Sequence, residues 1–203
     1  MPSSSTEVLI HLHDTISRID KRAHDIHARV NQHYGNHLPY SYHLNQVVSW
    51  VKQFVTEIVT QPDDILPVIF AAYFHDSIED ARLTYNDVQK IAIEYMNENQ
   101  AFTATEIVYA LTNEKGRTRA ERAGESYYSG IRKTPYAPFI KLCDRLANME
   151  FSFQQENETG RHMCEVYRNE WNHFIESITS THDDSRFKLP QSGITYAEKL
   201  MKL

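Results

Sequence analysis

Residues 65–80 read ILPVIFAAYFHDSIED. Ten residues carry no charge, and then one imidazole and three carboxylates arrive within six positions. A helix that is apolar all round belongs in a core, so this segment predicts a central helix. Continued to Asp80 at helical geometry, Glu79 lies about 40° from His75, Asp76 about 100° and Asp80 about 140°. Three carboxylates in one sector repel one another and are costly to desolvate. A helix end that merely surfaces would solvate them, but VIFAAYF (68–74) leads into the cluster with no polar transition. A cation is the simplest group that makes such a cluster favourable. Three other His-Asp dipeptides, at 13–14, 24–25 and 182–183, lack both the apolar run and the following acidic pair.

Outward from this segment, the pattern is helical throughout. Apolar residues at Leu9, Leu12, Ile16, Ile19, Ala23, Ile26 and Val30 predict one long helix from Glu7 to about His33. Gly35 and Pro39 mark a loop. A second helix runs from about His43 to Val59, and Asp63 or Asp64 is placed to cap the central one. Thr84, with Asp87 three residues on, predicts a capped helix. Weaker helices fall near 103–113 and 119–132. TPYAPFIKLCDRLANMEFS (134–152) is strongly apolar, a long helix covers about 162–178, and a short one closes the chain. No alternating strand is found. The expected class is all-α, a bundle.

The 203 residues predict a single domain over 1–203, with a core of about 7–180 and a tail of 181–203. Scarce glycine (6) and proline (7) fit long helices and short loops. The two cysteines, Cys143 and Cys164, form no spaced set, which predicts reduced thiols and a cytoplasmic protein. No apolar run spans a bilayer, and no secretory leader is read in MPSSSTEVLIHLHDT (1–15). A net charge of −6 argues against nucleic-acid binding. The partner expected is a small molecule, with oligomeric state open.

Further ligands must come from other helices. Asp144 is a carboxylate inside an apolar helix, among Ile140, Leu142, Cys143, Leu146, Ala147 and Met149. Pairing with Arg145 or another base is the ordinary alternative. His43, opening a helix after LPYSY, is the other candidate. His43, His75, Asp76 and Asp144 offer two imidazoles and two carboxylates, which suit Mn, Fe or Zn better than Ca. Glu79 is placed to take a proton from a bound water and Asp80 to assist.

These residues resemble a known family. His43, then His75-Asp76, then Asp144 is the pattern of HD-domain metal-dependent phosphohydrolases. PYSYHLNQV (39–47), AAYFHDSIEDARLTYNDV (71–88), LTNEK (111–115) and KLCDRLANM (141–149) are similar, in order, to blocks in the hydrolase domain of the RelA/SpoT family and its stand-alone small alarmone hydrolases. The resemblance covers about 23–180. It implies an HD-type helical bundle with one central divalent metal ion, Mn first and Fe, Zn or Co as alternatives. It implies removal of the 3′-pyrophosphate of the guanosine alarmone ppGpp. By position, His43, His75, Asp76 and Asp144 match the metal ligands, and Glu79 and Asp80 the catalytic acidic pair. Asn148 matches an asparagine near the ribose, and Tyr167 a tyrosine of the last substrate-facing helix.

The chain departs from that pattern in places. Gln32-His33 stand where the family has an Arg-Lys pair whose arginine helps hold guanine, and Leu44 replaces a proline. Another nucleotide, including NADPH or a nucleoside phosphate, is therefore an alternative substrate. A non-catalytic nucleotide-sensing module is a second alternative, and a deoxynucleotide monophosphatase a third. Between Glu114 and Lys133 six basic residues face three acidic ones. That run is either a solvated face or a basic flap for substrate phosphates, with Lys115 and Arg119 foremost. Tyr127 or Tyr128 would add an aromatic wall.

Overall fold

The computed structural model describes residues 5–35, 37–113 and 118–202, with the side chains of 5, 6, 119 and 120 excepted. It is mostly helical, as the periodicity predicts. The chain runs α1 (Ser5–His11), α2 (His13–Arg29), α3 (Ser41–Ile58), α4 (Ile65–Phe74), α5 (Tyr85–Ile93) and α6 (Glu98–Leu111). It continues through a short α7 (Arg119–Arg122), α8 (Glu125–Lys133), α9 (Ala137–Phe153), α10 (Glu158–Ile178) and α11 (Gln191–Leu200).

All ten residues of α4 are buried. The helix packs on α2, α3, α6 and α9, and α9 in turn packs on α3, α8, α10 and α11. Burying Leu, Ile, Val and Phe side chains contributes about 1.5–3 kcal/mol each before conformational entropy is counted. That term makes an uncharged ten-residue helix the centre of the bundle. Among the described residues, no helix is long and apolar enough to cross a membrane. Cys143 and Cys164 are free and buried.

Four local expectations are corrected. The first helix is two, α1 and α2 meeting at Leu12, and α2 ends at Arg29 rather than near His33. The loop after it holds a two-residue antiparallel pair, His33–Tyr34 with Leu38–Pro39. Gly35 in that turn has φ +57, and a Cβ on it would meet Phe151 Cζ at 2.7 Å. Asp64 sits at the N-cap of α4 without capping it, because its carboxylate accepts the Tyr136 hydroxyl at 2.5 Å.

The fourth correction bears on the site. Helix α4 stops at Phe74, and 75–80 is a string of turns. The Ala72 carbonyl, which a continuing helix would offer to the Asp76 N–H, accepts instead from His75 Nδ1 at 2.8 Å. Turns held by Ser77 N to Phe74 O (2.9 Å) and Asp80 N to Asp76 O (2.8 Å) follow. The four polar groups therefore do not share one helical sector.

Candidate metal centre

Three elements bring the cluster together. His43 comes from the first turn of α3, His75 and Asp76 from the turn that ends α4, and Asp144 from the middle of α9. His43 Nε2 and His75 Nε2 lie 3.2 Å apart. Asp144 Oδ1 is 3.3 Å from the first and 3.9 Å from the second. One ligand atom each from His43, His75 and Asp144 fall within 4.8 Å of one another, all three residues buried, so the cluster could hold a metal ion. Asp76 Oδ2 adjoins it, 2.9 Å from His75 Nε2 and 3.6 Å from His43 Nε2.

The hydrogen bonds favour a cation there. His75 donates from Nδ1 to the Ala72 carbonyl, which leaves the Nε2 lone pair of the neutral ring facing His43. His43 Nδ1 is buried without a hydrogen-bond partner among the described residues. Two facing imidazole nitrogens at 3.2 Å cannot both carry protons comfortably, whereas one cation satisfies both lone pairs and the carboxylates. The electrostatics agree. Burial works against charge on His43, but bonds to Asp144 and Asp76 override it and its pKa is pushed up to about 9. His75 is raised for the same reason, chiefly by Asp76 against burial. Burial opposes ionisation of Asp76 and Asp144 too, yet the imidazoles hold Asp76 well below the usual carboxylate range, and Lys141 with the imidazoles does so for Asp144. The site calls for positive charge.

Around the cluster, each carboxylate is fixed by further side chains, of which only Asn148 was singled out in the sequence, and for a different role. Lys141 Nζ donates to Asp144 Oδ2 at 2.9 Å. Asn148 Nδ2 donates to Asp144 Oδ1 at 2.7 Å, and Asn148 Oδ1 accepts from the Tyr34 hydroxyl at 2.8 Å. The Tyr40 hydroxyl bonds Asp76 Oδ2, and lies 3.0 Å from Asp80 Oδ2. Only the spacing within KLCDRLANM could have flagged two of these. Lys141, Asp144 and Asn148 stand three and four apart, on one face of a helix. Tyr34 and Tyr40 arrive from the hairpin loop and carry no periodic signal.

Glu79 is exposed, and both its oxygens face Asn113, Oε1 at 3.1 Å from Nδ2 and Oε2 at 3.4 Å from the backbone N. Beside the cluster lies a cavity of about 500 Å³. Asp144, Lys141, Asn148, Tyr167, Tyr127 and Tyr128 are in its wall, with Asn113, Arg122 and Arg145. Asn148 and Tyr167 share this cavity, and Tyr127 and Tyr128 line it too. Lys115 lies outside the described residues, as does the Arg119 side chain. Of the other basic residues in that run, Arg122 lines the cavity, while Arg132 bonds the Ser177 carbonyl and Glu125. Asp144 does pair with a base, as the ordinary alternative has it, but that base is Lys141 and not Arg145. Arg145 bonds Glu170 Oε2 at 2.9 Å and lies over the Phe174 ring at 4.2 Å. Gln32, where the family has its base-holding arginine, accepts through Oε1 from the buried His27 at 2.7 Å. No protein-family model, no curated protein and no solved structure matches this chain.

Proposed function

We propose that this protein is a metal-dependent phosphohydrolase of a phosphorylated nucleotide, with guanosine 3′,5′-bis(diphosphate) as the first substrate to test. One observation carries the reading: His43, His75 and Asp144 converge on one point, and Asp144 reaches from there into the wall of a cavity that also presents Lys141, Arg122 and Arg145. In a chain of net charge −6, the cations of that wall outnumber its carboxylates, Asp144 and Glu170, a local balance that favours an anionic ligand. His43, His75, Asp76 and Asp144 would hold one divalent ion, Mn by resemblance, with Fe, Zn or Co suited to the same donors. When bound, such an ion polarises a phosphoryl oxygen and lowers the pKa of a coordinated water.

The chain's own groups would do the rest. Glu79, oriented by Asn113, takes the proton of the attacking water. The hydroxide oxygen bonds to phosphorus, the phosphoryl–oxygen bond to the nucleoside breaks, and the departing oxygen receives the proton that Glu79 took from the water. Asp80, tethered near Asp76 by the Tyr40 hydroxyl, assists that proton movement. Lys141 and Arg122 offset the phosphate charge, and Tyr127, Tyr128 and Tyr167 line the same cavity as apolar wall for a base or ribose.

The engagement of Gln32 by His27 favours a second reading of the substrate, in which the base is not guanine and a nucleotide such as NADPH is the ligand. A product-resolved assay with Mn over ppGpp, NADPH and common nucleotides separates the readings. Release of pyrophosphate from ppGpp supports the first and of phosphate from NADPH the second. Release of neither phosphate nor pyrophosphate from any substrate overturns hydrolysis. Glu79→Gln should cut turnover by about 10²–10⁴-fold while metal and ligand still bind. An unchanged ligand response, with no turnover to lose, would mark a nucleotide sensor.

A further inference from the structure

The wall between the metal cluster and the cavity is made in part by one side chain, Lys141. Its stem rises from α9 one turn before Asp144, and its ammonium donates to Asp144 Oδ2 at 2.9 Å. The other oxygen of that carboxylate, Oδ1, is the one that faces His43 and His75. Lys141 is only 17% exposed, lies 5.6 Å from the Tyr127 ring centre and lines the cavity. An ammonium carries three donors, and Asp144 uses one.

We propose that Lys141 serves both sides of this wall. It is a positioning residue that turns Asp144 Oδ1 toward the ion by holding Oδ2. It is also a direct donor to a phosphate oxygen of the ligand in the cavity. Mn and pyrophosphoryl ligands are then coupled through a single side chain. The inference deepens the phosphohydrolase reading and rests on it for the class of ligand.

The test uses the full chain and two titrations followed by calorimetry: Mn into metal-stripped protein, and inorganic pyrophosphate into Mn-loaded protein. Lys141→Met should weaken Mn binding about 10–100-fold, as loss of an outer-shell partner does. At saturating Mn it should weaken pyrophosphate binding at least about tenfold, the loss of one charged hydrogen bond. Lys141→Arg, which keeps the charge, should stay within about threefold of wild type in both. The dual role is overturned if Lys141→Met matches wild type in either titration, if Lys141→Arg fails as badly as Lys141→Met, or if wild type binds no pyrophosphate. Should Lys141→Met not fold, Lys141→Leu, which also lacks a donor, replaces it with the same expectations. The nucleotide assay reports separately on hydrolysis, since both titrations read without turnover.

Discussion

Tyr40 shows how much of the site is held by residues that touch no ligand. Its hydroxyl engages both Asp76 and Asp80, and the His27 ring stacks on its face at 4.7 Å. His27 is buried, and burial lowers its pKa below 6.5 despite the bond to Gln32. The folded chain therefore keeps this ring neutral where the unfolded chain would protonate it. As pH falls below about 6.5, unfolding takes up a proton and the His27 contribution to stability is lost. His43 and His75, whose pKa values are raised, act in the opposite sense and over a higher range in metal-free protein: their contribution is complete below about 6.5 and is lost as pH rises above it. The informative quantity is thus the difference between variants. His27→Gln, which keeps a polar group for Gln32, should lose less stability than wild type between pH 7.5 and pH 5 in urea melts. Equal losses would mean that His27 is not the acid-labile group.

Among the elements, helix α5 is the clearest case of structure written in local sequence. Thr84 accepts from the Asp87 backbone N–H and Asp87 returns a bond to Thr84 N, a complete capping box. Thr84→Ala should cost about 0.5–2 kcal/mol in a chemical melt, with no effect on Mn binding. The same signature, Asn97 with Gln100, opens α6 five residues earlier than the periodicity near 103 suggests. The end of α4 was not legible, because nothing in YFHDSIED (73–80) breaks a helix. The break comes from the His75 ring competing for the Ala72 carbonyl, a contact set by where His75 must point. The hairpin at 33–39 was legible only as a loop. Its Gly35 is required twice, by φ +57 and by the Phe151 ring that a Cβ would meet at 2.7 Å. Gly35→Ala should cost about 1–3 kcal/mol. Because the hairpin carries Tyr34 to Asn148, the variant should also weaken the hold on Asp144 and lower Mn affinity. Unchanged Mn binding in a destabilised Gly35→Ala would separate the hairpin from the site.

At the scale of the molecule, α3, the end of α4 and α9 pack on one another, and each supplies part of the cluster. His75-Asp76 and Asp144 were legible because each interrupts an apolar run, and an ionisable group in such a run needs a partner. His43 was weakly legible from its place at the start of a helix after LPYSY, and resemblance singled it out from the chain's eleven histidines. The cavity was not legible as a whole, because its wall gathers Asn113 and side chains from α7 through α10 that no local pattern links. A site assembled from three packed elements makes bound metal a constraint on the whole core. Metal that binds only the folded chain stabilises it by RT ln(1 + [L]/Kd), about 2.7 kcal/mol at a hundredfold excess over Kd. Mn should therefore raise the melting temperature of metal-stripped protein by several degrees, and chelation should reverse the shift. Asp144→Asn removes the charge that draws the ion while keeping the shape of the side chain. It should abolish most of the shift and leave the helical content of the metal-free protein in place. A wild-type chain whose melting temperature ignores Mn, Fe, Zn and Co alike would show that the cluster is a buried ion network without a metal.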